Sequence, residues 1–132
     1  TRKESSAASD VYKRQREERI LLIAEDAQGG LVGTAQLIVG MPENQPHRAD
    51  VAKMLVHRKA RRQGLAQRLL AAVEEAARAA EKTVLVLDTA TGSDAERLYQ
   101  RAGWQRVGMV PDYALMPDGA MCGTTFFYKR VR

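Results

Sequence analysis

The sequence predicts a mixed α/β (α+β) domain, and three observations carry that expectation. Two β-rich runs, "ILLIAED" and "LVGTAQLIV", are joined by the short Gly-containing "AQGG" and read as an antiparallel hairpin. Leu65, Leu69, Val73, Ala76 and Ala80 recur at helical spacing, with Arg68, Glu74, Glu75 and Arg78 on the outer side, which defines one amphipathic helix. The run "TVLVLDTA" follows it as a strand of the kind buried on both faces, so strand, helix and strand form a right-handed parallel crossover.

The remaining elements follow in order. "GMPENQPHR" gathers Gly, Pro and Asn into a loop after the hairpin. "ADVAKMLVHR" is then the strand that enters the crossover, and strict alternation puts Asp50, Ala52, Met54 and Val56 on one face and Val51, Lys53 and Leu55 on the other. In "TGSDAERLYQRAGW", Ser93 and Glu96 match a capping box and Gly103 stands where a helix stops, which predicts a short helix from about Asp94 to Ala102. "WQRVGMV" and "TTFFYKRV" are the last two strands, with "MPDGAM" as the turn between them.

Composition bounds the function. With 132 residues, 45% hydrophobic and 28% charged, the chain has the make-up of one ordinary globular domain. No apolar run approaches the roughly 18 residues that cross a bilayer, and no signal-peptide pattern is visible, so the expectation is a cytoplasmic chain with no membrane partner. The single Cys122 excludes an internal disulfide framework, and His47 and His57 do not make a zinc cluster, so no metal is expected. The net charge of +5 points to an anionic partner. Residues 1–15 hold four basic residues against two acidic ones, so +2 of the +5 lies there and +3 elsewhere. Their Ser/Ala-rich composition lacks periodicity and is similar to translated adapter sequence, which predicts a disordered, non-native tail over residues 1–18 and a folded domain over 19–132.

"RKARRQG", ahead of the amphipathic helix, admits three readings: a solvated basic turn, a nucleic-acid contact, or a cradle for pyrophosphate at a helix N-terminus. The spacing favours the cradle. Gly64 at the helix entry lets a ligand approach the backbone without a Cβ in the way, Ala66 keeps the first turn open, and neighbouring arginines add charge-assisted contacts. Nucleic acid is not expected as a partner, because only 5% of residues are aromatic and the helix carries no basic or aromatic stripe. No G-x-x-x-x-G-K-[ST] is present, and no G-x-G-x-x-G follows the first parallel strand, which argues against nucleotide triphosphatase and dinucleotide folds.

Arg61-Arg62-Gln63-Gly64-Leu65-Ala66 fits the [Q/R]-x-x-G-x-[G/A] signature of the GNAT superfamily of N-acetyltransferases. Together with the element order around it, the chain resembles the GNAT core over roughly residues 19 to 131. It resembles the tabtoxin resistance acetyltransferase group more closely, through "RADVAKMLV", "LVLDTATGSDAERLYQRAGW", "PDYALMPDG" and "TTFFYKR". The resemblance implies a largely antiparallel twisted sheet, flanked by helices, whose central parallel pair splays at the acetyl-CoA site. It implies acetyl-CoA as donor, with the pyrophosphate on the amides of Arg62, Gln63, Gly64, Leu65 and Ala66 beside Arg61. The pantetheine arm would then pair like an extra strand beside Leu55 and Val56. Lys53 and Arg58 read as surface residues, either of which would assist the 3′-phosphate.

The chemistry sets further demands. An acceptor amine with a pKa near 10.4 arrives as an ammonium, so a proton must leave before its nitrogen attacks in a ternary complex. Asp50 occupies the strand position where some GNAT enzymes carry a general-base glutamate, and its shorter side chain calls for a bridging water. Asp88, ending "LVLD", opens into the same crevice at the carboxyl ends of the parallel strands, and two carboxylates there would attract a cationic acceptor. The resemblance implies an oxyanion donor on a backbone N–H near Leu55 or Val56, and Tyr99 as the general acid for the departing thiolate. Tyr113 and Tyr128 read as strand or loop packing. The family's first strand and helices, which wall part of the acceptor site, are expected to be missing, exposing an apolar patch that promotes a homodimer. The function so implied is acetylation of a small amine, in the manner of antibiotic or toxin resistance enzymes. The alternative from another class is a non-catalytic acyl-CoA-binding regulatory module.

Overall fold

A computed structural model gives the fold and describes residues 2–5, 9–15, 18–61 and 64–132. In strand β3 (Arg19–Asp26), Ile20, Leu22 and Ala24 point to one side and are buried, and β4 (Leu31–Ile38) sets Leu37, Ala35 and Gly33 opposite them in antiparallel register. Strand β5 (Arg48–Val56) adds Ala49 and Val51 to this core, β6 (Val84–Ala90) adds Leu85 and Leu87, and β8 (Met121–Arg130) adds Phe127. Helix α1 (Leu65–Ala79) lays Leu65, Leu69, Leu70 and Val73 onto the same core, and α2 (Asp94–Arg101) adds Tyr99. Each fully buried Val, Leu, Ile or Phe side chain among these contributes roughly 1.5–3 kcal/mol by leaving water. Strand β7 (Gln105–Leu115) closes one edge of the sheet.

Two further strands, β1 (Arg2–Ser5) and β2 (Ser9–Gln15), stand among the described residues of the segment where a disordered tail was expected. β2 pairs antiparallel with β3 from Ser9↔Asp26 to Gln15↔Ile20, and Val11 is buried beside its partner Ala24. A strand therefore does precede the hairpin. Composition missed it because ladder hydrogen bonds come from the main chain, and an otherwise polar strand can pair with a neighbour whose own side chains make the core. The sheet order is β1-β2-β3-β4-β5-β6-β8-β7, and every neighbouring pair is antiparallel except β5 with β6, which is the parallel pair of the crossover.

Local signals set the helix ends, with two reassignments. Ser93 is the N-cap residue of α2, yet its hydroxyl lies 3.4 Å from that of Thr89, and the Glu96 carboxylate accepts from Thr125 instead of closing a capping box. At the other end Gly103 takes φ +88, the Trp104 N–H reaches the Tyr99 carbonyl at 3.0 Å, and the Gly103 N–H reaches that of Gln100 at 3.2 Å, a Schellman stop. Glu74, placed on the outer side of α1 by its charge, is buried. It accepts from Lys129 Nζ at 3.0 Å, and the same ammonium donates to the Ala102 carbonyl at 2.7 Å, tying α1, β8 and the end of α2 together.

Candidate functional site

The parallel pair is short. β5 and β6 register only at Arg48↔Val84, Ala49↔Leu85 and Asp50↔Val86; beyond these β6 continues alongside β8 as far as Ala90↔Thr124, while β5 stays with β4 up to Gly33↔Val56. The two strands therefore part, and a wedge opens between them. Its local cause lies in β5. Between Ala52↔Gln36 and Leu55↔Thr34, three steps on β5 face two on β4, and Lys53 adopts φ +53. Such a bulge bends its strand and increases twist, turning the end of β5 away from β6. It also overturns the strict alternation expected for β5: Ala49 and Val51 belong to the core before the bulge, whereas Met54 and Val56 pack against it afterwards.

Past the bulge the ladder decides which amides face the wedge. The His57 N–H donates to the Val32 carbonyl at 2.7 Å, so in this antiparallel register His57 and Leu55 turn their polar groups to β4 and Val56 turns its own toward the gap. The Val56 carbonyl accepts from Arg61 Nε at 3.4 Å. His57 Nδ1 accepts from the Lys59 N–H at 3.1 Å and caps a 3-10 turn over Arg58–Ala60, which buried Ala60 pins to the core. The chain then reaches Gly64, the N-cap residue of α1, at φ +73 with nothing within 4 Å of where a Cβ would stand. A glycine cap offers no side chain to the first-turn N–H groups of α1, and among the described residues no side chain caps them at this open, basic turn. Leu65 is buried and anchors the helix start, and Ala66 is half-buried. Lys53 and Arg58 are exposed. Arg62 and Gln63 lie outside the described residues.

Asp50 and Asp88 stand on the sheet face away from both helices, since their neighbours Ala49, Val51 and Leu87 fill the core. Asp50 lies beside Val86, and Asp88 is two residues, about 6.6 Å, farther along β6. Their partners differ. Asp50 Oδ1 accepts from Arg48 Nη1, and Arg48 Nε donates to Gln45 Oε1 at 2.6 Å. Asp88 Oδ2 accepts at 2.6 Å from the hydroxyl of buried Thr124, a separation typical of an O–H donor to a carboxylate. Tyr99 sits in the core, with its ring 5.8 Å from Trp104 and 5.7 Å from Phe127. Burial, and secondarily the charge of Asp88, push its hydroxyl up to about 12, so it stays protonated at neutral pH.

Sequence reading missed Thr124. It also missed a hydroxyl chain on the helix side, where Thr91 Oγ1 lies 3.0 Å from Thr125 Oγ1 and Thr125 donates to Glu96. No spacing signals these contacts, because the β6–β8 pairing joins residues 36 apart in the Thr124–Asp88 case. Among the described residues no group of His, Cys, Asp and Glu could hold a metal ion, and no helix is long and apolar enough to cross a membrane.

The family model described as the acetyltransferase (GNAT) domain matches residues 17–106. The chain belongs to the GNAT family. Solved structures share the GNAT fold. A presumed phosphinothricin N-acetyltransferase is 21% identical with a TM-score of 0.77, the match covering 89% of this chain and 75% of that one. The ribosomal-protein-alanine N-acetyltransferase of Brucella melitensis is 26% identical with a TM-score of 0.74, covering 86% and 69%. A presumed acetyltransferase of Salmonella typhimurium, seen with its cofactor acetyl-CoA, is 21% identical with a TM-score of 0.75, covering 86% and 65%.

Proposed function

We propose that this GNAT chain moves an acetyl group from acetyl-CoA to the amine of a small molecule by direct attack in a ternary complex. The observation that carries the reading is the parting of β5 and β6 beyond Asp50 and Val86, beside the open turn at Gly64. The residues fit the donor: a strand end whose Val56 main-chain groups face the gap suits an extended amide-bearing arm that ends in an acyl oxygen, and a helix start with a glycine N-cap flanked by Arg61 suits a diphosphate. Val56, whose main chain faces the gap, would hold the arm through its carbonyl, Leu55 would flank it with its own polar groups paired to β4, and Arg61, Arg62, Gln63, Gly64, Leu65 and Ala66 would hold the phosphates. When bound, acetyl-CoA supplies an acyl group activated as a thioester.

The chain's own residues do the rest. Asp88, oriented by Thr124, takes the ammonium proton directly or through water, while Asp50 is the second carboxylate, with one oxygen engaged by Arg48. The Val56 N–H meets negative charge as it develops on the acyl oxygen. Tyr99, kept neutral by burial, donates to the departing sulfur. The resemblance of its motifs to the tabtoxin resistance group supports a small amino compound as the acceptor. Exposed Val107, Leu115 and Met121 on the β7–β8 hairpin support association of two copies.

Calorimetry with coenzyme A and thiol release from acetyl-CoA across a panel of amines test the reading. Saturable heat and amine-dependent thiol release are expected. A folded chain that gives no heat with coenzyme A overturns it, and heat without thiol release for any amine favours the non-catalytic acyl-CoA-binding alternative.

A further inference from the structure

The face that carries Asp88 also carries aromatic rings, among them Tyr113 and Tyr128, which the sequence suggested were packing. Phe126 is the cross-strand partner of Asp88, and Tyr128 is that of Val86. Tyr113 meets Phe126 edge-on with ring centroids 6.0 Å apart. Tyr113 is 52% exposed and Tyr128 37%, large values for side chains of this size on a sheet, and neither helix lies on this side. Charge on this face is uneven. Asp50 is matched by Arg48, whereas among the described residues Asp88 has a hydroxyl partner and no ion pair.

One unmatched carboxylate bordered by ring surfaces attracts a single positive charge attached to an apolar body, because the carboxylate and the ring faces both favour a cation. A ligand carboxylate is not favoured there. It would be repelled by Asp88, and two donors of the Arg48 guanidinium are already turned to Asp50 and Gln45. Building on the acetyl-transfer reading, we infer that Tyr113, Phe126 and Tyr128 form the acceptor subsite, and that the acceptor is a singly charged amine with an apolar or aromatic body rather than an amino acid.

2-Phenylethylamine and L-phenylalanine test this, since they share ring and amine and differ by the carboxylate. Calorimetry on the chain saturated with coenzyme A gives their affinities, and thiol release from acetyl-CoA gives kcat and KM. 2-Phenylethylamine should bind about tenfold more tightly than L-phenylalanine. Tyr128→Ala should weaken its binding roughly fivefold, with the change falling on KM, and Tyr128→Phe should restore it, as ring contacts require. Tyr113→Ala should act in the same direction, and unchanged coenzyme A binding shows that the variants fold. Equal or tighter binding of L-phenylalanine, with the preference abolished by Arg48→Ala, overturns the inference in favour of a zwitterionic acceptor. So does indifference of 2-phenylethylamine binding to Tyr128→Ala. Binding of 2-phenylethylamine without thiol release supports the subsite while defeating the transfer reaction, and thiol release with other amines but no binding of 2-phenylethylamine overturns the subsite alone.

Discussion

The two faces of the central sheet are made by the same strands and differ in almost everything else. On the helix side Leu85, Phe127, Leu37 and Ile20 are fully buried under α1 and α2. One residue along, on the other side, Val86 is half-buried, Phe126 is half-buried, and Asp88 and Tyr128 are exposed. Because strand side chains alternate, a single run such as "LVLDTA" supplies a core on one side and a carboxylate with its setting on the other. Stability and chemistry are thereby assigned to different residues of one element, and substitutions should separate them.

The largest effect is expected on the helix side. Leu69→Ala removes a fully buried side chain and should destabilise the fold by about 2–5 kcal/mol, read from the urea midpoint. If coenzyme A affinity measured well below that midpoint changes little, the separation holds. Asp88→Asn is the counterpart on the open face: thiol release should fall on the order of 100-fold, with stability altered by no more than about 0.5 kcal/mol. Asp50→Asn should cost less activity than Asp88→Asn, because Arg48 already engages its carboxylate. A parallel loss of folding and turnover in Asp88→Asn would break the comparison.

Tyr99 links the two faces electrostatically: it is buried among aromatic rings on the helix side yet feels the charge of Asp88. Its pKa is raised from 10.0 to about 12, so folding favours the neutral phenol. The associated stability is fully present below about pH 10 and is lost as pH rises through about 12, a change of about 2–3 kcal/mol. Urea unfolding in alkaline buffers should show this loss in the native sequence and not in Tyr99→Phe, and Asp88→Asn should reduce it. The smallest effect belongs to the wedge. Gly64→Ala forces a Cβ into the left-handed region at φ +73 and should cost about 1 kcal/mol of stability while weakening coenzyme A binding. Unaltered affinity in that variant would remove the turn from the donor site.

Much of this arrangement is written locally. The period of α1, the start of α2 at Ser93, its stop at Gly103 and the turn at Gly64 each depend on a few consecutive residues, through apolar spacing or tolerance of positive φ. For that reason the helices, the parallel crossover and the signature from Arg61 to Ala66 are legible in the sequence. What the tertiary structure decided involves partners that only sheet pairing brings together. Lys129 buries the charge of Glu74, Thr124 orients Asp88, and the polar strand β2 pairs with β3. The bulge at Lys53 exchanges the faces of β5 and parts it from β6. No local pattern encodes these, because a strand's hydrogen bonds and a buried charge's partner are satisfied across the fold, by residues 36 apart for Thr124 and Asp88 and 55 apart for Lys129 and Glu74.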